Sequence, residues 1–419
     1  MRLSRTAVTV ATALLAFLLA LPAAAGTKAS FNADGVLVID GKKVFPIGFT
    51  MPPPPDGKTP AGRNGIEELH DAGANFLRTG VMGTAWDEAA FAREQAWQDA
   101  AARHGMHCLV SLREASSVKE GDAANEAKLR AIVNRFKDHP GMGAWKGVDE
   151  PEWGKHAVEP MVRAHKIIKA LDPHHPVWVV QAPRGTVESM RRYNVACDAT
   201  GADIYPVGYP PGGHSLLPNN EISLVGDHTG IMVRVADGKM PVWMVLQIAW
   251  SGVIKPGKTL RFPTFAEERF MTYHAIVNGA RGVVYFGGHI GKACTPEDAN
   301  LGWNWTFWDK VLRPVVEEIG EKSPLYPALV APESKLPVKV EGKGSEGVEF
   351  CVREVGDDVF LIATKREGAT VNVRFTGLPG DVRDGEVLFE SPRRVEAKDG
   401  GFTDWFGPFE VHVYRFKRG

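Results

Sequence analysis

Residues 141–172 read GMGAWKGVDEPEWGKHAVEPMVRAHKIIKALD. A nearly continuous apolar run ends in two carboxylates, Asp149 and Glu150, and Pro151 follows at once. Apolar residues then return at i, i+3, i+4 spacing, as at Ile167, Ile168 and Leu171. A short run apolar on both faces, followed by an amphipathic helix, is the repeating unit of a parallel sheet covered by helices.

The same unit recurs on either side. VFPIGFT (44–50), ANFLRTGV (74–81) and MHCLVSL (106–112) each lead into a helical pattern before it, and PVWVVQAP (176–183), ATGADIYPV (199–207), PVWMVLQIAW (241–250) and RGVVYFGG (281–288) do so after it. The helical stretches end in AG, HG, LDP, DG and NGA, signals of glycine C-caps and proline stops. Eight strand–helix pairs of this length predict an α/β fold, a (β/α)8 TIM barrel over residues 44–328. A doubly wound open sheet is the alternative, but no phosphate-type glycine fingerprint follows the first strand.

Beyond residue 328 the period changes to two. GVEFCVREV, DVFLIATKRE, ATVNVRFTGL and FEVHVYRFK alternate apolar and polar residues between Gly, Asp and Pro. This predicts a C-terminal antiparallel β-sandwich over 329–419. Ahead of the barrel, residues 26–43 predict a β-hairpin acting as a lid, with Asp40-Gly41 as its turn. Residues 1–25 carry Arg2 and Arg5, an apolar run and an Ala-x-Ala ending, the pattern of a cleavable signal peptide. Secretion or residence in a periplasm is the expectation, with no membrane association after cleavage.

Composition narrows the function. Of 419 residues 44% are hydrophobic and 24% charged, and the net charge is −1. That balance opposes a nucleic-acid or anionic-membrane partner. The four cysteines show no CxxC spacing, and Cys108 reads as a small buried thiol. No HExxH or other ligand cluster appears, His174-His175 fall at the opposite end of the barrel, and neither metal nor cofactor is expected. Ser111 and Ser251 lack a nucleophile elbow. Oligomeric state is not encoded in any feature read here.

Barrels carry their chemistry where strands end at the carboxyl rim, since rigid strands fix side chains around a shared mouth. Glu150 and Asp149 fall there, and Pro151 is expected to hold Glu150 extended. Glu152 reads as a cap for the next helix. The other strand ends supply Arg78, Glu114, Gln181, Asp203, Tyr205, Gln247, Trp250 and Tyr285. Carboxylates, amides, an arginine and aromatic rings together suit a neutral, hydroxyl-rich carbohydrate.

The chain resembles the clan A-type (β/α)8 glycoside hydrolases, the beta-galactosidase- and cellulase-like barrels, with an appended sandwich. The resemblance rests on Arg78, on Glu150-Pro151 and on the aromatic residues late in the last two strands. PTFAEERFMTYHAIVNGARGVVYFG (263–287) is similar to the beta-galactosidase-like members. It implies cleavage of O-glycosidic bonds with Glu150 as general acid. Two positions depart: Asp149 stands where the superfamily has Asn, and Gln247 where it has a nucleophilic glutamate. An amide cannot attack an anomeric carbon, so the second carboxylate is open between Asp203 and Glu114, as base or nucleophile. A carboxyl separation of about 6.5–9.5 Å would signal inversion and about 5–5.5 Å retention; different strand ends favour the wider gap. Arg78, Gln181, Tyr205, Gln247, Trp250 and Tyr285 are the expected substrate-binding residues. A non-catalytic carbohydrate-binding protein on a degenerate barrel is the competing reading.

Overall fold

The computed structural model describes residues 26–82, 85–211 and 214–419, without the side chains of residues 251 and 253. The expected signal peptide, residues 1–25, lies outside the described residues. Three short strands come first: β1 (Ala29–Phe31), β2 (Leu37–Ile39) and β3 (Lys42–Val44), paired antiparallel. Asp40 and Gly41 join the last two with φ of 48° and 85°, the positive values that a two-residue hairpin turn of this hand requires.

This element is a three-stranded sheet, and it seals the opposite end of the barrel from the one a lid would cover. Ala29 N–H donates to the carbonyl of His174, Thr27 Oγ1 bonds the carbonyl of Met142, and Phe31 packs edge-on against Trp243. All three partners sit where barrel strands begin. Leu37, Ile39 and Val44 thereby join Phe76, Trp178 and Trp243 in one apolar cluster inside the barrel.

Eight parallel strands follow: β4 (Ile47–Thr50), β5 (Phe76–Gly80), β6 (His107–Ser111), β7 (Met142–Asp149), β8 (Val177–Gln181), β9 (Ala199–Ala202), β10 (Trp243–Gln247) and β11 (Gly282–Phe286). They pair in sequence, β11 returns to β4, and bridges Thr200–Val242 and Asp203–Val245 join β9 to β10, so the sheet closes into a barrel. Buried on both faces, these strands need apolar residues at nearly every position, which is why they read as continuous runs.

The covering helices are capped as their sequences dictate. Asn64 receives the N–H groups of Ile66 and Glu67, and Thr264 with Glu267 forms a reciprocal capping box. Two segments differ from the expected helices. The fifth is short, Val187–Arg191, before a 3-10 turn, and the eighth is broken by a π turn over Trp308–Leu312.

The C-terminal region is a sandwich of two antiparallel sheets. One is built from β12 (Lys339–Glu341), β15 (Val371–Thr376) and β18 (Phe402–Phe406). The other orders β13 (Val348–Val355), β14 (Asp358–Lys365), β19 (Val411–Lys417), β16 (Asp384–Leu388) and β17 (Arg394–Glu396). It docks on the barrel helix Phe265–Val277, where Phe270 meets Phe409 edge-on and His274 bonds Thr364. Arg366 bridges Asp227 of the barrel and Glu349 of the sandwich. That helix is buried on both sides, and it takes Glu268 out of solvent altogether (0% exposed). Its neighbour Glu267 instead caps the helix, accepting the N–H of Thr264.

Candidate active site

At the carboxyl ends of the barrel strands opens a cavity of about 530 Å³. The strands leave it through a strained backbone: Met51, Arg113 and Glu150, each at or just beyond a strand end, have φ of 45°, 50° and 46°. Non-glycine residues adopt that region rarely, and clustered at one mouth such strain marks positions held by their surroundings. Glu150 is therefore not extended. Its N–H donates to Val180 and its carbonyl receives Gly154, so the chain turns as it leaves β7 while Pro151 bars the right-handed helical region.

The turn carries the Glu150 side chain across to Asp203. With His214 the two carboxyls place ligand atoms within 4.8 Å of one another. The wide gap expected between catalytic carboxyls is thus corrected: side chains from the end of β7 and just beyond β9 converge. Burial first, and then the Asp149 charge, raises the Glu150 carboxyl above its usual range. Burial, then Glu150, then Asp149 push Asp203 well up. Two like charges this close in a buried site disfavour one another's ionised form, which pushes both carboxyls in the same upward direction.

Asp149 has the opposite fate. Burial works to raise it, but Lys146, Arg78 and Arg113 outweigh burial and hold it well below the usual carboxylate range. Lys146 Nζ lies 2.5 Å from one oxygen and Arg113 Nη1 3.1 Å from the other. Lys146 projects from the middle of β7, where burial brings its ammonium down to about 8 despite Asp149. Asp149 so anchors the cations of the mouth.

Aromatic rings form one wall. Tyr205 stacks between His214 at 4.5 Å and Phe286 at 5.1 Å, and Trp250 leans on His214 at 5.0 Å. Lys258 Nζ lies over the Trp250 ring, 4.5 Å from its centre. Burial keeps the His214 ring neutral, down at about 3, with its Nε2 3.6 Å from Asp203. The floor carries Arg78, only 4% exposed. Its strand end is clamped from the next helix by Glu94, which accepts from Thr79 Oγ1 at 2.9 Å and from Gly80 N–H at 2.7 Å.

Of the residues expected at this mouth, Glu150, Asp149, Asp203, Arg78, Tyr205 and Trp250 line the cavity. Four others do not. Glu114 is exposed in a 3-10 turn outside it, whereas Asp203 lines it. Gln181 accepts the N–H of Glu152, Gln247 is spent on the backbone of Val207, and Tyr285 bonds Thr272 inside the barrel wall. Glu152 pairs with Lys155 and Arg192 instead of capping the next helix, which starts at Val158. Sequence reading missed Lys146, Arg113, Trp153, Arg184, His214 and Lys255, which also line the cavity. Lys146 carried a signal: a charge inside an apolar strand requires a partner, and Asp149 stands three residues on.

Glu150, Asp203 and His214 are the one carboxylate–imidazole group among the described residues with metal-ligand spacing. The upward push on the carboxyls and the cations Arg78 and Lys146 nearby oppose a divalent ion there.

The comparisons with known proteins fit this geometry. No family model matches the chain, and no curated protein does. Among solved structures, one described as a glycoside hydrolase aligns at TM-score 0.64 and 15% identity, over 94% of this chain and 97% of its own. A glycoside hydrolase family 5 structure from Bacteroides vulgatus gives 0.65 and 13%, covering 94% and 93%. A family 30 endoxylanase from Clostridium papyrosolvens gives 0.50 and 12%, covering 90% and 97%. The chain has the fold of the (β/α)8 glycoside hydrolases. The likeness extends through the appended sandwich, since each alignment spans nine-tenths of the chain or more.

Proposed function

We propose that this protein is an exported glycoside hydrolase that cleaves O-glycosidic bonds, with Glu150 as the proton donor. The observation that carries the reading is the carboxyl pair Glu150–Asp203 at the floor of a barrel-mouth cavity walled by aromatic rings. A general acid must be protonated at working pH and lie within reach of the leaving oxygen. Burial, and then the neighbouring charge of Asp149, raise the Glu150 carboxyl towards the first condition. The second follows from the cavity, which is open to an incoming sugar. In turnover the pair gives its proton to the leaving oxygen and regains one from the water that replaces it, returning to its starting charge. An aromatic face such as that of Trp250 packs against the C–H face of a pyranose ring and excludes water. Export rests on the leader-like residues 1–25.

A second reading keeps one observation on its side. With Gln247 occupied by backbone, no carboxylate from the seventh barrel strand enters the cavity, as suits a carbohydrate-binding protein on a hydrolase scaffold. Turnover decides between them. A broad panel of aryl glycosides and oligosaccharides is incubated with the parent chain and with Glu150→Gln, and the released anomer is followed by NMR. Hydrolysis by the parent that is lost in the variant, with sugar binding retained, supports the hydrolase; binding without turnover in either chain supports the binder.

A further inference from the structure

The cavity is far more basic than the chain that carries it. The whole protein has a net charge of −1, yet Arg78, Arg113, Lys146, Arg184 and Lys255 all line this one opening. Against them stand three carboxyls, Asp149, Glu150 and Asp203. The balance inside the mouth is therefore positive, and low-dielectric walls concentrate that field on an incoming ligand.

Arg78 makes the charge specific. Its guanidinium is buried, lines the cavity floor, and leaves Nε and Nη2 without a hydrogen-bond partner. Those two N–H groups lie on one edge of the guanidinium plane, the edge that receives two oxygens of an oxyanion side by side. A buried donor pair left unsatisfied costs stability, and a ligand anion that opens this edge, closed to solvent here, and seats on it would recover that cost. A neutral hydroxyl can meet one of the two donors; a carboxylate or sulfate ester meets both. Lys255, exposed at the rim, adds charge on the approach.

We propose that the substrate is an anionic glycan, whose uronate carboxylate or sulfate ester seats on the free edge of Arg78. The inference rests on the hydrolase reading of the same cavity, and it replaces the neutral carbohydrate that the sequence pattern favoured. The aromatic wall packs the sugar ring while the arginine floor takes the charge.

Calorimetric titration of the full chain carrying Glu150→Gln, which stops turnover, tests it. The probes are oligogalacturonates, oligoglucuronates, sulfated galacto-oligosaccharides, and uncharged galacto- and gluco-oligosaccharides of equal length. At least one anionic series should bind tenfold or more tighter than its uncharged counterpart in 50 mM salt, and the preference should shrink as salt screens the mouth. Which series wins separates carboxylate from sulfate. Adding Arg78→Lys, which keeps charge but loses the paired donors, should remove most of the preference. Adding Lys255→Gln, a surface change that spares the fold, should cut anionic binding two- to threefold and leave uncharged sugars unaffected. Equal or tighter binding of the uncharged series overturns the proposal, as does a preference indifferent to both salt and Lys255→Gln. If uncharged glycosides are bound without preference and hydrolysed by the parent chain, the hydrolase reading survives and only the anionic substrate is lost. If no series binds and none is cleaved, both fall.

Discussion

Gln247 Oε1 accepts the Val207 N–H at 2.8 Å while its Nε2 donates back to the Val207 carbonyl at 2.7 Å. This closed pair, fully buried, ties the end of β10 to the loop after β9. It needs one donor and one acceptor on the same side chain, which glutamine provides and glutamate does not.

Restoring a carboxylate at this position should therefore fail to create a nucleophile. Gln247→Glu would set an oxygen against the Val207 carbonyl, at a cost of roughly 3 kcal/mol. Thermal melting should drop by about 5 °C or more, with no gain in turnover on any glycoside. A variant that melts like the parent and hydrolyses faster would show that Gln247 is free to face the substrate.

Glu150→Gln and Asp203→Asn each dismantle the carboxyl pair. Both should lower kcat by about 10²- to 10⁴-fold, the range general acids contribute, with KM changed by less than threefold. The parent pH–rate profile should fall on the alkaline side, as the pair gives up its proton. Retention of the parent rate by Glu150→Gln at neutral pH would remove Glu150 from the proton-donor role.

Glu268 gives a pH test of stability that is independent of activity. Burial, with a lesser push from Glu267, raises its carboxyl well above the usual range. The native state thus holds a proton that the unfolded chain releases near pH 4. Stability from this group is full below that pH and is lost as pH rises towards the native-state pKa. Glu268→Gln should melt close to the parent at pH 4.5 and increasingly above it as pH rises to 8. Parallel melting curves for the two chains from pH 4.5 to 8 would contradict a buried, protonated Glu268.

The sandwich covers one face of the helix Phe265–Val277 through Phe270, His274 and the Arg366 ion pairs with Asp227 and Glu349. Deleting residues 332–419 should leave that face wet and the barrel prone to aggregate, measured by light scattering after expression. A monodisperse barrel with parental melting would mean that the docking adds nothing to stability.

The barrel was legible because two-sided burial forces unbroken apolar strands, and because each run stops at Gly, Pro or charge. The same logic located Arg78, Glu150, Asp203, Tyr205 and Trp250, which all reach the cavity. It could not separate Gln181 and Gln247 from ligand-binding amides, since an amide at a strand end serves a sugar or a backbone equally well and only the third dimension says which. Glu114 failed for a related reason: Arg113 enters the left-handed region, and the next side chain leaves the mouth. His214 and Arg184 arrive on loops, whose sequences carry no periodicity to project.

The small amino-terminal sheet has a practical consequence. Because it corks the barrel on the side of His174 and Met142, anything joined ahead of Gly26 departs on the face turned away from the cavity. A fusion partner or surface tether attached at that end would present the cavity outward, free to meet a long polymer, whereas a graft close to His214 would block it.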